Sequence, residues 1–174
     1  STNPEVATGY RSDMQPVRTA TYSVSTANPL STRAACEVLR DGGSAADALV
    51  AAQMVLGLVE PQSSRLGGGA FMMFYDARSG AITVYDGRET APASATPELF
   101  YENGRPLPFV DAVLSGRSTG APGVVPMLVQ AQKQHDALAW NELIGDAEAL
   151  AQDGFVVSPR LAGMIASDAP QAGT

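Results

Sequence analysis

The sequence predicts an α/β structure, helix-rich and layered, with one central hairpin. Three observations carry that expectation. Two helical patterns follow each other at 30–39 and 45–58, and the second is apolar almost all round. A strand–turn–strand pattern follows at 70–86. After it the chain offers helical and irregular patterns but no strand that would close a sheet, so the layered structure reads as incomplete.

Composition sets the outer bounds. The chain has 174 residues, 45% hydrophobic and 17% charged, which is a globular balance with a core of useful size. Its formal net charge is -7 and no Lys/Arg cluster interrupts the acidic balance. Phosphate backbones need a basic face, so nucleic acid is excluded as a partner. The longest apolar run, 45–59, is broken by Asp47 and Gln53. It falls short of the roughly 20 residues that span a bilayer, and no membrane span is expected. No leader-like stretch is visible at Ser1, and a processed chain would show none. Cys36 is the one cysteine, which rules out an intrachain disulfide and leaves oxidising and reducing compartments equally open.

The elements follow in order. Residues 1–16 are polar and unpatterned and read as a loose N-terminal arm, with the structured portion at 17–174. The Thr, Val and Tyr content of 17–26 predicts a strand. Asn28-Pro29 is an N-cap followed by proline at the first helical position, and Leu30, Ala34, Val38 and Leu39 share a face. Gly42-Gly43 stop that helix, and Ser44 with Asp47 makes a capping-box start to the next. Glu60-Pro61 ends the second helix. Gly67-Gly68-Gly69 lack the preceding strand and the Lys-Ser/Thr pair of a phosphate loop, so close backbone approach and positive φ are their expected uses.

Residues 70–76 are apolar on both faces, as in a strand covered on both sides. Ala77 to Gly80 fits a hairpin loop with glycine at the left-handed position, and 81–86 is the returning strand. A short helix is expected after Thr96-Pro97. Residues 115–123 are turn-rich. A helix at 124–134 must hold Pro126 in its first turn. Residues 140–152 form an amphipathic pattern with Leu143, Ile144, Ala147, Leu150 and Ala151 on one face, ended by Gly154. Ser158-Pro159 caps a last helix carrying Leu161, Met164 and Ile165.

Arg88 is the leading candidate for chemistry. It leaves the second strand of the hairpin, and its planar fork binds a carboxylate through two parallel hydrogen bonds. Gly87 before it would let a ligand approach the backbone. The competing use is a structural ion pair with Asp86 or Glu89, and local sequence alone favours that use. Asp86 and Glu89 themselves, with no supporting motif, read as solvated or arginine-paired acids rather than an acid/base couple. Ser1 has the residue type of an N-terminal nucleophile, but no buried strand pattern follows it, and no catalytic role is assigned. Cys36 lies in a helical apolar pattern with no histidine near it and reads as an inert thiol. His135, the single histidine, falls at a helix end, as an exposed cap would. One His, one Cys and no ligand spacing give no metal site. Trp140 reads as a packing anchor.

Several linked stretches then resemble the γ-glutamyltranspeptidases: Asn28-Pro-Leu-Ser-Thr-Arg-Ala-Ala-Cys-Glu-Val-Leu-Arg-Asp-Gly-Gly-Ser-Ala-Ala-Asp-Ala, Val59-Glu-Pro-Gln-Ser-Ser-Arg-Leu-Gly-Gly-Gly-Ala-Phe-Met, Asp86-Gly-Arg-Glu-Thr-Ala-Pro and Gly154-Phe-Val-Val-Ser-Pro-Arg-Leu-Ala. The resemblance covers nearly everything after the arm and corresponds to the early part of the family's large subunit. It implies the four-layer αββα architecture of N-terminal-nucleophile hydrolases, here in part. It implies a precursor that cuts itself in two, and an N-terminal threonine of the small subunit that attacks γ-glutamyl amides such as glutathione. The acyl group then passes to water or an amino acid, with no cofactor. It implies that Arg88 binds the α-carboxylate of the γ-glutamyl group, and a secreted, periplasmic or cell-envelope setting. The partners implied are the small-molecule γ-glutamyl substrate and the small subunit. The family's Thr-Thr-His does not occur in these residues, so the nucleophile is expected elsewhere and this stretch alone is expected to be inactive. Arg65 stands where the family commonly has glycine. Relatives with cephalosporin-acylase or capsule-processing activity, and a non-catalytic binding or scaffold domain, are the alternative readings.

Overall fold

In the computed structural model residues 15–168 are described, and the first regular element begins at Asn28. The expected arm lies mostly outside the described residues. The expected strand at 17–26 does not form: its residues carry no strand pairing, and Val17 is 88% exposed. A strand needs a partner ladder for its N–H and C=O groups, and the sequence pattern could not supply one. The end of this segment is instead tied locally, by the Thr26 hydroxyl to the Asn28 carbonyl at 2.8 Å and to Thr32 Oγ1 at 2.8 Å. The described residues form two units, 15–65 with 131–168, and Leu66–Gln130.

The first unit is built on a helical hairpin, α1 (Pro29–Arg40) and α2 (Ala45–Val59). Asn28 Oδ1 accepts from Leu30 N at 3.0 Å, and Pro29 fills the first helical position, as its spacing requires. Gly42, at φ 95, turns the chain between the helices. The Ser44–Asp47 capping box opens α2 as expected. Ala34 and Ala35 of α1 and Ala48, Ala51 and Ala52 of α2 are all buried. Small side chains bring the two backbones close enough for Ser31 Oγ to donate to the Ala52 carbonyl at 3.0 Å. Ala34, Val55 and Val59 centre an apolar cluster joined by Leu30, Leu56, Ala147, Leu150 and Phe155. Burial of a Val or Leu side chain contributes about 1.5–3 kcal/mol, so this cluster is a main support of the unit.

Two buried acids fix the other pieces of this unit. Asp47 Oδ2 accepts from Ser44 N at 2.8 Å, Ala137 N at 2.9 Å and Leu138 N at 3.2 Å. Its Oδ1 accepts from Gln132 Nε2 at 3.4 Å. The capping residue of α2 thereby also holds the chain that leaves α4 (Val124–His135). The predicted helix at 140–152 is broken: a 3-10 turn at Trp140–Glu142 precedes α5 (Gly145–Asp153). Glu142 folds back to accept Ala139 N at 2.8 Å, which closes the turn, and Gly145 is a poor residue for carrying a helix through. The apolar face was placed correctly for Leu143, Ala147 and Leu150, which are buried or half-buried, but Ala151 is exposed. Ser158 Oγ accepts from Leu161 N at 3.1 Å at the start of α6 (Pro159–Asp168), as expected.

The second unit is centred on the hairpin of β1 (Ala70–Asp76) and β2 (Ala81–Gly87), paired antiparallel from Ala70↔Gly87 to Asp76↔Ala81. Gly80 takes φ 70, and Asp76 accepts from Arg78 N at 2.9 Å and Ser79 Oγ at 2.7 Å, which sets the turn. The expectation of a strand covered on both faces is corrected. Met72 and Tyr85 are buried, but Phe71, Met73 and Tyr75 are 64%, 72% and 63% exposed. In this two-stranded sheet one apolar face is open among the described residues. The helix expected after Pro97 is also corrected, since residues 97–100 form turns. Asn103 and Gly104, both at positive φ, then fold β3 (Tyr101–Glu102) onto β4 (Arg105–Pro106). The short helix α3 (Phe109–Leu114) follows. Pro126 lies in the first turn of α4, where its missing N–H costs nothing.

Candidate functional site

Three backbone segments meet at the base of the hairpin: 67–70, 87–90 and 120–124. Gly123 N and Val124 N both donate to the Gly68 carbonyl at 3.1 Å. Thr90 and Ala121 exchange bonds of 3.3 and 2.9 Å. Glycine makes this approach possible. A Cβ on Gly69 would lie 2.5 Å from Glu89 Oε2 and 2.8 Å from the Gly87 carbonyl oxygen. One on Gly123 would overlap the carbonyl oxygens of Gly87 and Arg88. Close approach, one of the two uses expected of Gly67-Gly68-Gly69, is therefore the use of Gly69. Positive φ is not, because none of the three has it. Gly87 is corrected as well. The space beside it is filled by Met127, whose Cβ would be 2.6 Å from an added Cβ, so the glycine accommodates α4 rather than a ligand.

Arg88 is the first residue past β2, where the sequence put it. Its backbone is fixed by the contacts above and by its own N–H, which donates to Asp86 Oδ1 at 3.0 Å. Its guanidinium is free to reach outward: the side chain is 60% exposed, and Nη1 stands 3.6 Å from Glu89 Oε2. The ion pair named as the competing use therefore exists. It does not occupy the fork, because an exposed pair at this distance contributes less than about 1 kcal/mol and leaves the other N–H groups available. Asp86 and Glu89 have separate tasks, one on the Arg88 backbone and one on its side chain, so they do not act as an acid/base couple here.

The remaining candidates lie apart from this point. Cys36 is half-buried in α1 as a free thiol. His135 is the last residue of α4 and is half-buried rather than exposed. Trp140 is half-buried at the start of its 3-10 turn, and Ser1 lies outside the described residues. Arg65 is exposed, and its Nε donates to the Pro61 carbonyl at 3.0 Å, closing the turn after α2. Among the described residues no group of three His, Cys, Asp or Glu side chains is arranged to hold a metal ion, and no helix is long and apolar enough to cross a membrane.

Sequence reasoning missed a buried polar node in the first unit. Glu60 caps the end of α2 with its side chain 2% exposed, accepting from Asn28 Nδ2 at 3.1 Å, Gln62 Nε2 at 2.6 Å and Arg160 Nη1 at 2.5 Å. Burial alone would push the Glu60 carboxyl up. The hydrogen bonds from Asn28, Gln62 and Arg160, with the charge of Arg160, outweigh it and hold the group below its ordinary value. A Glu-Pro pair after an apolar helix and an Arg two residues after a Ser cap carried no signal that they would meet. The glycines at 120 and 123 were equally unreadable, since their partner is the backbone beyond β2.

Comparison with known proteins gives this arrangement a family. Residues 31–172 match the family model described as gamma-glutamyltranspeptidase. The chain is 41% identical over 143 residues to a glutathione hydrolase proenzyme of Bacillus subtilis strain 168, covering 82% of this chain and 24% of that protein. It is 33% identical over 160 residues to the glutathione hydrolase proenzyme of Escherichia coli K12, covering 91% and 27%. The crystal structure of Helicobacter pylori γ-glutamyltranspeptidase superposes with a TM-score of 0.83 at 30% identity, over 88% of this chain and 44% of that one. The fold is thus a partial α/β layered fold of the N-terminal-nucleophile hydrolase type. The chain belongs to the γ-glutamyltranspeptidase family, and it spans about a quarter of the length of these curated relatives.

Proposed function

We propose that these residues supply the carboxylate clamp of an enzyme that cleaves γ-glutamyl amides and passes the γ-glutamyl group to water or an amino acid. The observation that carries the reading is Arg88, held by its backbone in a glycine-walled junction while its guanidinium stays 60% exposed. A rigid stem with a free fork is what recognition of a small carboxylate needs, because little side-chain order remains to be lost on binding. The acyl-accepting nucleophile is an N-terminal threonine outside residues 1–174, on the small subunit released from the same precursor. These residues therefore bind and orient the donor and carry out no bond-breaking step themselves.

The test is kinetic, in the self-cleaved full-length enzyme. Arg88→Ala is expected to raise the KM for a γ-glutamyl anilide about ten- to hundredfold, the loss of a charge-assisted pair of hydrogen bonds. An unchanged KM would overturn the clamp. A glutaryl anilide keeps the carboxylate and lacks only the α-ammonium. Preferential turnover of that donor would favour an acylase of the cephalosporin-acylase type over a γ-glutamyl enzyme. A full-length chain with no Thr-Thr-His and no turnover of either donor would favour a binding or scaffold role.

A further inference from the structure

Glu89 is placed with unusual care for an acid beside an exposed arginine. Its Oε2 is buried, and among the described residues it receives no hydrogen bond. The group nearest to satisfying it is Arg88 Nη1, at 3.6 Å. Glycines make room for it on two sides. A Cβ on Gly69 would meet this same oxygen at 2.5 Å, and one on Gly120 would meet Glu89 Cβ at 3.0 Å. The Thr90–Ala121 backbone pair immediately after it fixes the chain direction. Removing a carboxylate oxygen from water with no donor is costly unless a cation stands by, so the nook draws the guanidinium toward itself.

We propose that Glu89 is a positioning residue. From the nook between Gly69 and Gly120 it holds one edge of the Arg88 guanidinium and turns the other edge toward the donor's carboxylate. The inference rests on the reading of Arg88 as the clamp. It adds that the clamp's direction is set by a buried acid and two glycines, not by Arg88 alone. Glu89 does not touch the donor through Oε2, which has no accessible surface.

The experiment is a double-mutant cycle in the full-length self-cleaved enzyme, with Glu89→Gln, Arg88→Ala and the pair. Two donors are compared: the γ-glutamyl anilide and the 4-aminobutanoyl anilide, which lacks the carboxylate. Glu89→Gln keeps the shape of the side chain, so self-cleavage and kcat should be retained. Its KM for the γ-glutamyl donor should rise about fivefold, the upper range for a partly exposed ion pair. The KM for the donor without a carboxylate should not move, and Glu89→Gln should add nothing on top of Arg88→Ala. Additive losses, or equal losses with both donors, would show a general structural role and overturn the positioning role. If Arg88→Ala raises KM while Glu89→Gln leaves it unchanged, only this inference fails. If Arg88→Ala itself changes nothing, the clamp fails first.

Discussion

Replacing Asp47 by alanine removes the acceptor on which three separate stretches of the first unit converge. The carboxylate is fully buried and takes three backbone N–H groups on Oδ2, from Ser44, Ala137 and Leu138, and the Gln132 amide on Oδ1. A buried donor left without an acceptor costs about 1–3 kcal/mol. Because these donors are only part-buried, water recovers some of that loss, and the sum comes to about 3–4 kcal/mol. That is a large share of a typical stability of about 5–15 kcal/mol. Urea unfolding of the full-length protein, followed by circular dichroism, should show the midpoint of Asp47→Ala fall with little change in slope. Ser44→Ala removes only the side-chain half of the capping box and should cost about 1 kcal/mol. Asp47→Asn should fall between the two. Its amide can offer one oxygen to the three N–H groups, but it turns its NH₂ toward Gln132. If Asp47→Ala lies within about 0.5 kcal/mol of wild type, the buried carboxylate is not the tie it is argued to be.

Glu60 predicts acid sensitivity. Its folded-state carboxyl lies below its unfolded value, so its contribution is present above the unfolded value of about 4.3 and is lost as pH falls through the lower folded value. Unfolding measured against pH should show wild type losing stability below about pH 4.3 more steeply than Glu60→Gln. Parallel profiles would count against it. Gly123→Ala should destabilise by about 1–3 kcal/mol, because the added methyl meets carbonyl oxygens of Gly87 and Arg88 that cannot move aside. Gly67→Ala meets open space at a φ that is not positive, and its melting temperature should stay level or rise slightly. A reversed order of these two variants would refute the junction described at the hairpin base.

Much of the local structure was legible because its causes are local. A cap, a proline at a first helical turn or a glycine at a left-handed hairpin position acts within a few residues, so Asn28-Pro29, Ser44-Asp47, Gly80 and Ser158-Pro159 all read correctly. Linked motifs likewise pointed to the family and to Arg88 before any coordinates. The misreadings share a cause too. Pattern at 17–26 says what a strand would look like but not whether a partner ladder exists. The two-faced apolar run of β1 says what the strand is suited to, not what covers it in these residues. The break between Trp140 and Gly145 came from a side chain folding back on its own backbone, inside an apolar pattern that stayed helical throughout.

By itself, then, the sequence determined the helix starts, the central hairpin, the absence of a nucleic-acid face and the arginine at the end of β2. Only the tertiary structure decided what that arginine is set against. Glu89 meets Arg88 beside it in sequence, but the nook that buries its Oε2 is made by Gly69 and Gly120, which lie 20 and 31 residues away. Glu60 reaches Arg160 across 100 residues, and Asp47 reaches Leu138 across 91. Short-range propensity fixes where an element begins. Which acid ends up buried, and beside which cation, depends on desolvation and packing among segments that are distant in the chain, and no local pattern encodes them.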